Sequence, residues 1–400
     1  MLSHLKVVEL ATMVAAPAAA GLLADWGAQV IKIEPHHGDP MRGAPGGPLG
    51  SINFDLHNRN KRSIALNTSA PDTRSVILRL VAGADIFITN MLPAQLSKLK
   101  LDWATLHEVN SRLVYGAVSS FGRTGPDKDR GATDNLGFWA RAGGTDLLTV
   151  EGQDPLPIRQ SVGDRTTGAL ACAGILAAAL DAQRNGVGRL VDTSLLSAGM
   201  WTFSTDIANH MNRGRTASSK GRREAVMPLA NYFRSRDGRW VQLHTSISLL
   251  APALGRPELA ADRRFNGQQR PTREDNARLV DLVDEAVAEM DYEELKSRFE
   301  AAGVRYEPVN TPADLAQDPQ VLATRRLIEV EGGSGLHWQV ASPWSVVDEE
   351  GELTQLSGAP PVIGEHTDEI LAELGYSEAD VARMRENGSV PPHTSRGATA

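Results

Sequence analysis

The sequence holds one cysteine in 400 residues, only 5% aromatics, and no excess of positive charge. A single thiol, Cys172, cannot form an internal disulfide, and a zinc site built on several cysteines is excluded. With 41 basic against 49 acidic residues the formal net charge is −8. That balance argues against nucleic acid as a partner, because such binding needs basic surface to displace phosphate counterions. The start, Met1-Leu2-Ser3-His4-Leu5-Lys6-Val7, lacks the basic, apolar and small-residue order of a secretory signal, so a cytoplasmic protein is expected. The longest uncharged apolar stretch, Gly168 to Leu180, falls short of the ~20 residues of a membrane helix and reads as a buried core helix, with no membrane partner. Two phosphate-binding patterns are also missing. The first strand-to-helix turn, Ala11-Thr12-Met13-Val14-Ala15-Ala16-Pro17, has no G-x-G-x-x-G, and no G-x-x-x-x-G-K-[ST] occurs, so NAD and ATP lose weight as ligands. Small-molecule chemistry remains.

What is present is alternation. Lys6 to Leu10 and Gln29 to Glu34 read as strands around a helix from Pro17 to Trp26, stopped by Gly27. Arg62 to Leu66, Asp85 to Thr89 and Arg112 to Val118 read as further strands, with helices near Pro71 to Ala82 and Trp103 to Val109. Strands alternating with helices of this length imply parallel pairing with helices on both faces, a doubly wound α/β unit. A further helix is expected through Phe138 to Ala142, and a loop to Ser161. An Ala-rich helix follows Gly163-Asp164 and runs to about Asp181, and after Arg189 to Asp192 another helix reaches about Met211.

A basic stretch, Arg213 to Arg223, reads as a linker, and the composition then changes to a smaller α+β module. Asp237-Gly238 marks a hairpin, and apolar spacing marks helices near Arg273 to Ala288 and Tyr292 to Ala302. The expected organisation is residues 1–210 as the N-terminal part of a large domain, 211–227 as linker, and 228–325 as the small domain. Residues 326–386 return to the large domain, and 387–400, rich in Gly, Pro, Ser and Thr, form a disordered tail.

Asp164 stands ahead of a helical run. It fits an N-cap, whose carboxylate accepts first-turn N–H groups. The functional reading, a nucleophile towards an activated acyl group, uses the same geometry, because the same helix end keeps a carboxylate ionised. Local chemistry leaves both open.

Ordered blocks carry a resemblance. Val7-Val8-Glu9-Leu10, Leu23 to Pro35, Gly38-Asp39, Arg42, Asn60-Lys61-Arg62-Ser63-Ile64 and Ile88-Thr89-Asn90 come first. Gly163-Asp164, Gly188 to Leu196, Pro308-Val309-Asn310, Asp318 to Val321 and Gly364 to Glu369 follow. Together, over about residues 1–390, they resemble the class III CoA-transferases, the CaiB/BaiF family of formyl-CoA transferase, carnitine CoA-transferase and α-methylacyl-CoA racemase. The resemblance implies a large α/β domain completed by the C-terminal segment, a small domain, and an intertwined homodimer. It implies transfer of CoA from an acyl-CoA donor to a carboxylic acid through an aspartyl anhydride and an aspartyl-CoA thioester on Asp164. CoA is then a cosubstrate, with no permanently bound cofactor and no metal. Racemization or intramolecular transfer within a dicarboxylic acid is the alternative.

Racemization is disfavoured on residues. Where the racemases carry a histidine this chain has Thr133 or Asp134, and where they carry an assisting glutamate it has His244 to Ile247. Removing and returning an α-proton on opposite faces needs a base on each side. The resemblance places CoA contacts at Met13, Val14 and Ala15, at His36, at Lys61 and Arg62, at Asn90 and Met91, and at Lys98. Pro35 replaces a basic residue of formyl-CoA transferase, and that enzyme's tetraglycine loop has no counterpart, so formyl-CoA and oxalate are not expected substrates. The small domain looks shortened between Leu243 and Leu254. Trp139, Met200, Trp201 and Phe203 are candidate walls of an acyl pocket or ordinary core residues at helical spacing.

Overall fold

β-branched runs alternating with Ala- and Leu-rich stretches produce a six-stranded parallel sheet in the computed structural model, which describes residues 1–43, 48–159, 161–214, 219–330 and 338–392. Its strands are β1 (Lys6–Leu10), β2 (Gln29–Glu34), β3 (Arg62–Ala65), β4 (Ile86–Thr89), β5 (Val114–Ser119) and β6 (Leu190–Ser194), in the order β3-β2-β1-β4-β5-β6. All five pairings are parallel. The first helices are α1 (Ala15–Asp25), α2 (Pro48–Asn58), α3 (Thr73–Ala82), α4 (Pro93–Leu99), α5 (Trp103–Val109), α6 (Gly144–Leu148) and α7 (Val162–Asn185).

The strand period of two sorts the core. Val8, Phe87 and Tyr115 point to one face and pack with α3, α5 and two C-terminal helices, Thr367–Glu373 and Glu378–Glu386. Val7, Ile88 and Val114 point to the other, against α1 and α7. The doubly wound large unit completed by the C-terminal segment is the expected fold. Two compact units divide the chain: Met1–Asp146, Pro157–Thr216 and Thr324–Ala400 form one, and Leu147–Leu156 with Ala217–Ala323 form the other. The smaller unit contains a sheet of β7 (Ala230–Arg234), β8 (Trp240–His244) and β9 (Tyr306–Pro308), with the Asp237-Gly238 hairpin joining the first two.

Several expectations need correction. Residues 147–156 group with the smaller unit because Val150 bridges Ser219, and the Glu151 N–H donates to the Ser219 carbonyl at 2.9 Å. Two of the basic residues assigned to a linker are paired: Arg222 with Asp284 and Arg223 with Asp281, each at 2.7 Å, on the helix Arg273–Val287. Part of the tail is ordered. Asn67 N–H donates to the Ser389 carbonyl at 3.0 Å, and Val390 is buried; residues 393–400 lie outside the described residues. Helices α2 and α4 were not foreseen.

Helix α7 begins six residues earlier than the stretch starting at Gly168 and has 24 residues, long and apolar enough by length and composition to cross a membrane. Ala171, Cys172, Ile175, Ala179 and Ala182 are nonetheless buried against α1 and the sheet. Burial pushes the Cys172 thiol up to about 12, so it is a core group and not a nucleophile. Gly168 sets the approach of the two helices, because a Cβ there would lie 2.6 Å from the Ala15 carbonyl oxygen and 2.8 Å from the Ala18 Cβ. Gly168→Ala is therefore expected to destabilise the protein by about 1–3 kcal/mol through overpacking, read as a lower denaturant midpoint. An unchanged midpoint would mean that the helices separate freely.

Candidate active site

Neighbouring strands β1 and β4 lead the chain away in opposite directions, and a sheet that reverses its build in this way leaves a crevice beyond the C-terminal strand ends. That crevice is a cleft of about 250 Å³. Met13, Val14 and Ala15 line it from the turn after β1, Asn90 and Leu92 from the segment after β4, and Ser119 and Ser120 from the end of β5. Thr133, Asp134, Ser161 and Asp164 complete it around the start of α7.

The turn after β1 is held from three sides. Asn90 Oδ1 accepts the Thr12 N–H at 3.1 Å while its Nδ2 donates to the Thr12 carbonyl at 2.7 Å. Asp39 Oδ1 accepts the N–H groups of Met13 and Met41 at 3.2 and 3.0 Å. Beneath lies a buried charge cluster. Lys32 Nζ donates to Glu9 Oε1 and to the Ala11 carbonyl, both at 2.9 Å, and sits 3.0 Å from Asp39 Oδ2. Lys61 Nζ donates to Glu9 Oε2 at 2.6 Å and to the Pro17 carbonyl and Asn58 Oδ1 at 3.0 Å. These bonds over-determine a turn in which Met13 sits at φ 70°, a left-handed conformation that a bulky side chain adopts only under constraint.

Asp164 is the third residue of α7, not its N-cap; that position belongs to Ser161. The helix brings the Gly-Asp pair close because Gly163 lies against Phe138, where a Cβ would stand 2.5 Å from the ring. Among the described residues no hydrogen bond reaches the Asp164 carboxylate. Burial, followed by the negative charge of Asp134, pushes its pKa up to about 7, with Arg165 opposing. Asp134 is buried, and its Oδ2 accepts the Gly163 N–H at 3.2 Å. A half-buried carboxylate with raised basicity beside an open cleft suits attack on an acyl carbon.

Five of the ten residues expected in the site meet here: Met13, Val14, Ala15, Asn90 and Asp164. Asn90 spends its carboxamide on Thr12 and so shapes the turn. Lys61 is corrected from a CoA contact to a structural cation, since it is fully buried and all three of its protons are donated within the protein. Arg62 begins β3, at the strand end opposite the cleft, and pairs with Glu369 and Glu373 at 2.9 Å. Met91 packs against the core, and His36 and Lys98 are exposed outside the cleft lining. Of the candidate pocket walls, Trp139 and Phe203 pack on Phe138 and Leu195, whereas Met200 and Trp201 are exposed. Ser119 and Ser120 were missed, although the rule that ligands bind beyond strand C-termini would have pointed to them. Among the described residues no group of three or more His, Cys, Asp and Glu side chains is placed to hold a metal ion.

Residues 2–367 match the family model of CoA-transferase family III. The chain is 30% identical over 403 residues to cinnamoyl-CoA:phenyllactate CoA-transferase of Clostridium sporogenes, covering 98% of this chain and 97% of that one. It is 29% identical over 400 residues to (R)-2-hydroxy-4-methylpentanoate CoA-transferase of Clostridioides difficile, covering 97% and 98%. Among solved structures, a CaiB/BaiF family protein from Brucella suis superposes with a TM-score of 0.81 at 29% identity, covering 93% of this chain and 99% of that one.

Proposed function

The chain belongs to CoA-transferase family III, and from that premise we propose that it moves CoA from an acyl-CoA donor to a carboxylic acid through covalent intermediates on Asp164. The observation that carries the reading is the Asp164 carboxylate itself, free of hydrogen bonds among the described residues and lining the cleft.

The steps balance without an external energy source. An Asp164 oxygen attacks the thioester carbonyl, and the tetrahedral intermediate expels the CoA thiolate, leaving an aspartyl anhydride. The thiolate attacks the aspartyl carbonyl and releases the donor's acid as carboxylate. The acceptor carboxylate attacks the resulting aspartyl-CoA thioester, again expelling thiolate. That thiolate takes the new acyl group and regenerates the Asp164 carboxylate. Helix α1 starts beside the cleft with no side-chain cap, so its first-turn N–H groups are candidate donors to the oxyanions.

Racemization is not favoured, since neither histidine nor glutamate lines the cleft among the described residues. Two relatives named for phenyllactate and 2-hydroxy-4-methylpentanoate support 2-hydroxy acids with apolar side chains as the first acceptors to try. The test is incubation with a panel of acyl-CoA donors, such acids and a dicarboxylic acid. Mass spectrometry is expected to find new thioesters and an Asp164 peptide carrying CoA. Absence of both across the panel would overturn the proposal.

A further inference from the structure

The start of α7 can be compared with three other helix starts in the same chain. Thr272 with Asp275, Thr311 with Asp314 and Ser377 with Asp380 each form a closed capping box. The hydroxyl accepts the N–H of the aspartate three residues on, and the aspartate carboxylate accepts the N–H of the hydroxyl residue. In all three the hydroxyl and the N–H of the Ser or Thr both donate to the carboxylate and hold it below its ordinary value. Ser161-Val162-Gly163-Asp164 has the same spacing at the same helix position. Yet the box is open. Ser161 sits at φ 73° with no side-chain cap bond, and Asp164 accepts nothing among the described residues.

A carboxylate from outside the helix has taken the box's place. Asp134, 1% exposed, accepts the Gly163 N–H. Burial pushes the Asp134 pKa up, and this is opposed by backbone N–H groups that include those of Ser161 and Asp164, the two that a closed box would use. We propose that Asp134 is a positioning residue that occupies the first-turn amides of α7, keeps the Ser161–Asp164 capping box open, and so leaves the Asp164 carboxylate free to attack. This rests on the reading of Asp164 as nucleophile.

Two consequences reinforce each other. With the box open, Asp164 lacks the Ser161 N–H and hydroxyl donors that would stabilise its anion and blunt its basicity. Asp134 adds a like charge that raises the proton affinity of Asp164 further, whereas Arg165, which donates from Nη2 to Asn53 Oδ1 at 2.7 Å, opposes it. The remaining elements around the cleft present uncharged groups, among them Met13, Asn90, Ser119 and Leu195.

The test is the pH profile of transfer by Asp134→Asn, which keeps the shape and one acceptor oxygen but drops the charge. Its acid limb is expected to move down by about one pH unit or more, with plateau turnover lowered roughly 10- to 100-fold by the misplaced nucleophile. Asp134→Ala is expected to lose more, and adding Ser161→Gly, which removes the capping hydroxyl and suits the left-handed backbone, is expected to recover part of the turnover. A lowered plateau with an unmoved acid limb would mean a merely structural role and would overturn the proposal, as would a fully active Asp134→Ala. If Asp164→Ala still transfers CoA, the nucleophile reading fails. If Asp164→Ala is inactive and the Asp134→Asn limb stays in place, this inference alone fails.

Discussion

Asp164→Ala is expected to lower CoA transfer by on the order of 10⁴-fold or more, with CoA binding retained. The size follows from the proposed role: without a carboxylate neither the anhydride nor the aspartyl thioester of the proposed mechanism can form, and among the described residues nothing else lining the cleft can replace it. Asp134 is the nearest alternative, but it is buried and committed to backbone N–H groups. Binding is expected to survive because most of the cleft's lining, including the turns after β1, β4 and β5, is contributed by other residues. Turnover within about tenfold of the unmodified protein would remove Asp164 from the mechanism.

The same residue carries a stability signature. In the folded chain its pKa is raised from 3.8 to about 7, so the fold favours the protonated form. The stability this lends is fully present below the unfolded pKa and is lost as pH rises through about 7. Asp164→Asn is therefore expected to melt at a higher temperature than the unmodified protein above neutrality, with the gain disappearing in acid. Such a gain, paired with lost activity, is the usual mark of a site that trades stability for chemistry. An equal melting difference at all pH values would contradict it.

Glu9→Gln is expected to cost about 3–5 kcal/mol of folding stability, the largest loss foreseen for any single change here. Glu9 is fully buried and is shared by two buried ammonium groups, Lys32 at 2.9 Å and Lys61 at 2.6 Å. The two cations are not equivalent. Lys32 also faces Asp39 and Glu34, and its pKa lies above the ordinary lysine value despite burial. For Lys61, burial and the neighbouring charge of Lys32 outweigh Glu9, and its pKa falls to about 8. With Glu9 neutralised, Lys61 keeps its hydrogen-bond acceptors and loses its principal counter-charge. Lys61→Met in the Glu9→Gln background is expected to restore part of the loss, because an uncompensated buried charge costs more than an apolar side chain of similar length. Urea denaturation of the two variants measures both effects. A loss below about 1 kcal/mol would be that of an ordinary surface pair and would show that the cluster is hydrated. The effect reaches the active site, since these lysines hold the Ala11 and Pro17 carbonyls on either side of Met13.

The contrast between Lys61 and Arg62 shows where reading the chain reached its limit. Both belong to a block resembling CoA-transferases, and it is that resemblance which implies CoA contacts at both. Lys61 in fact turns inward to Glu9, and Arg62, one residue on, meets Glu369 and Glu373 from the C-terminal helix Thr367–Glu373. Which way each cation points depends on partners 52 and more than 300 positions away. Helix α2 went unseen for a local reason: Pro48-Leu49-Gly50-Ser51 and the Asn-containing end carry turn-forming residues of weak helix propensity. Reading the chain puts Asp164 itself at the N-cap; that Ser161 holds that position and Asp164 the third helical one emerges only in the fold.

Composition and hydrophobic period by themselves determined the class of this protein. Short apolar runs separated by amphipathic helices have one economical solution, a parallel sheet covered on both faces, and the resemblance of the Gly-Asp block to the CoA-transferases singled out Asp164. Only the tertiary structure decided what Asp164 is free to do. An N–H group at a helix start donates to whichever carboxylate reaches it, and the fold brings Asp134 there from 30 residues upstream. That choice of partner is a property of three-dimensional proximity, which local sequence spacing does not encode.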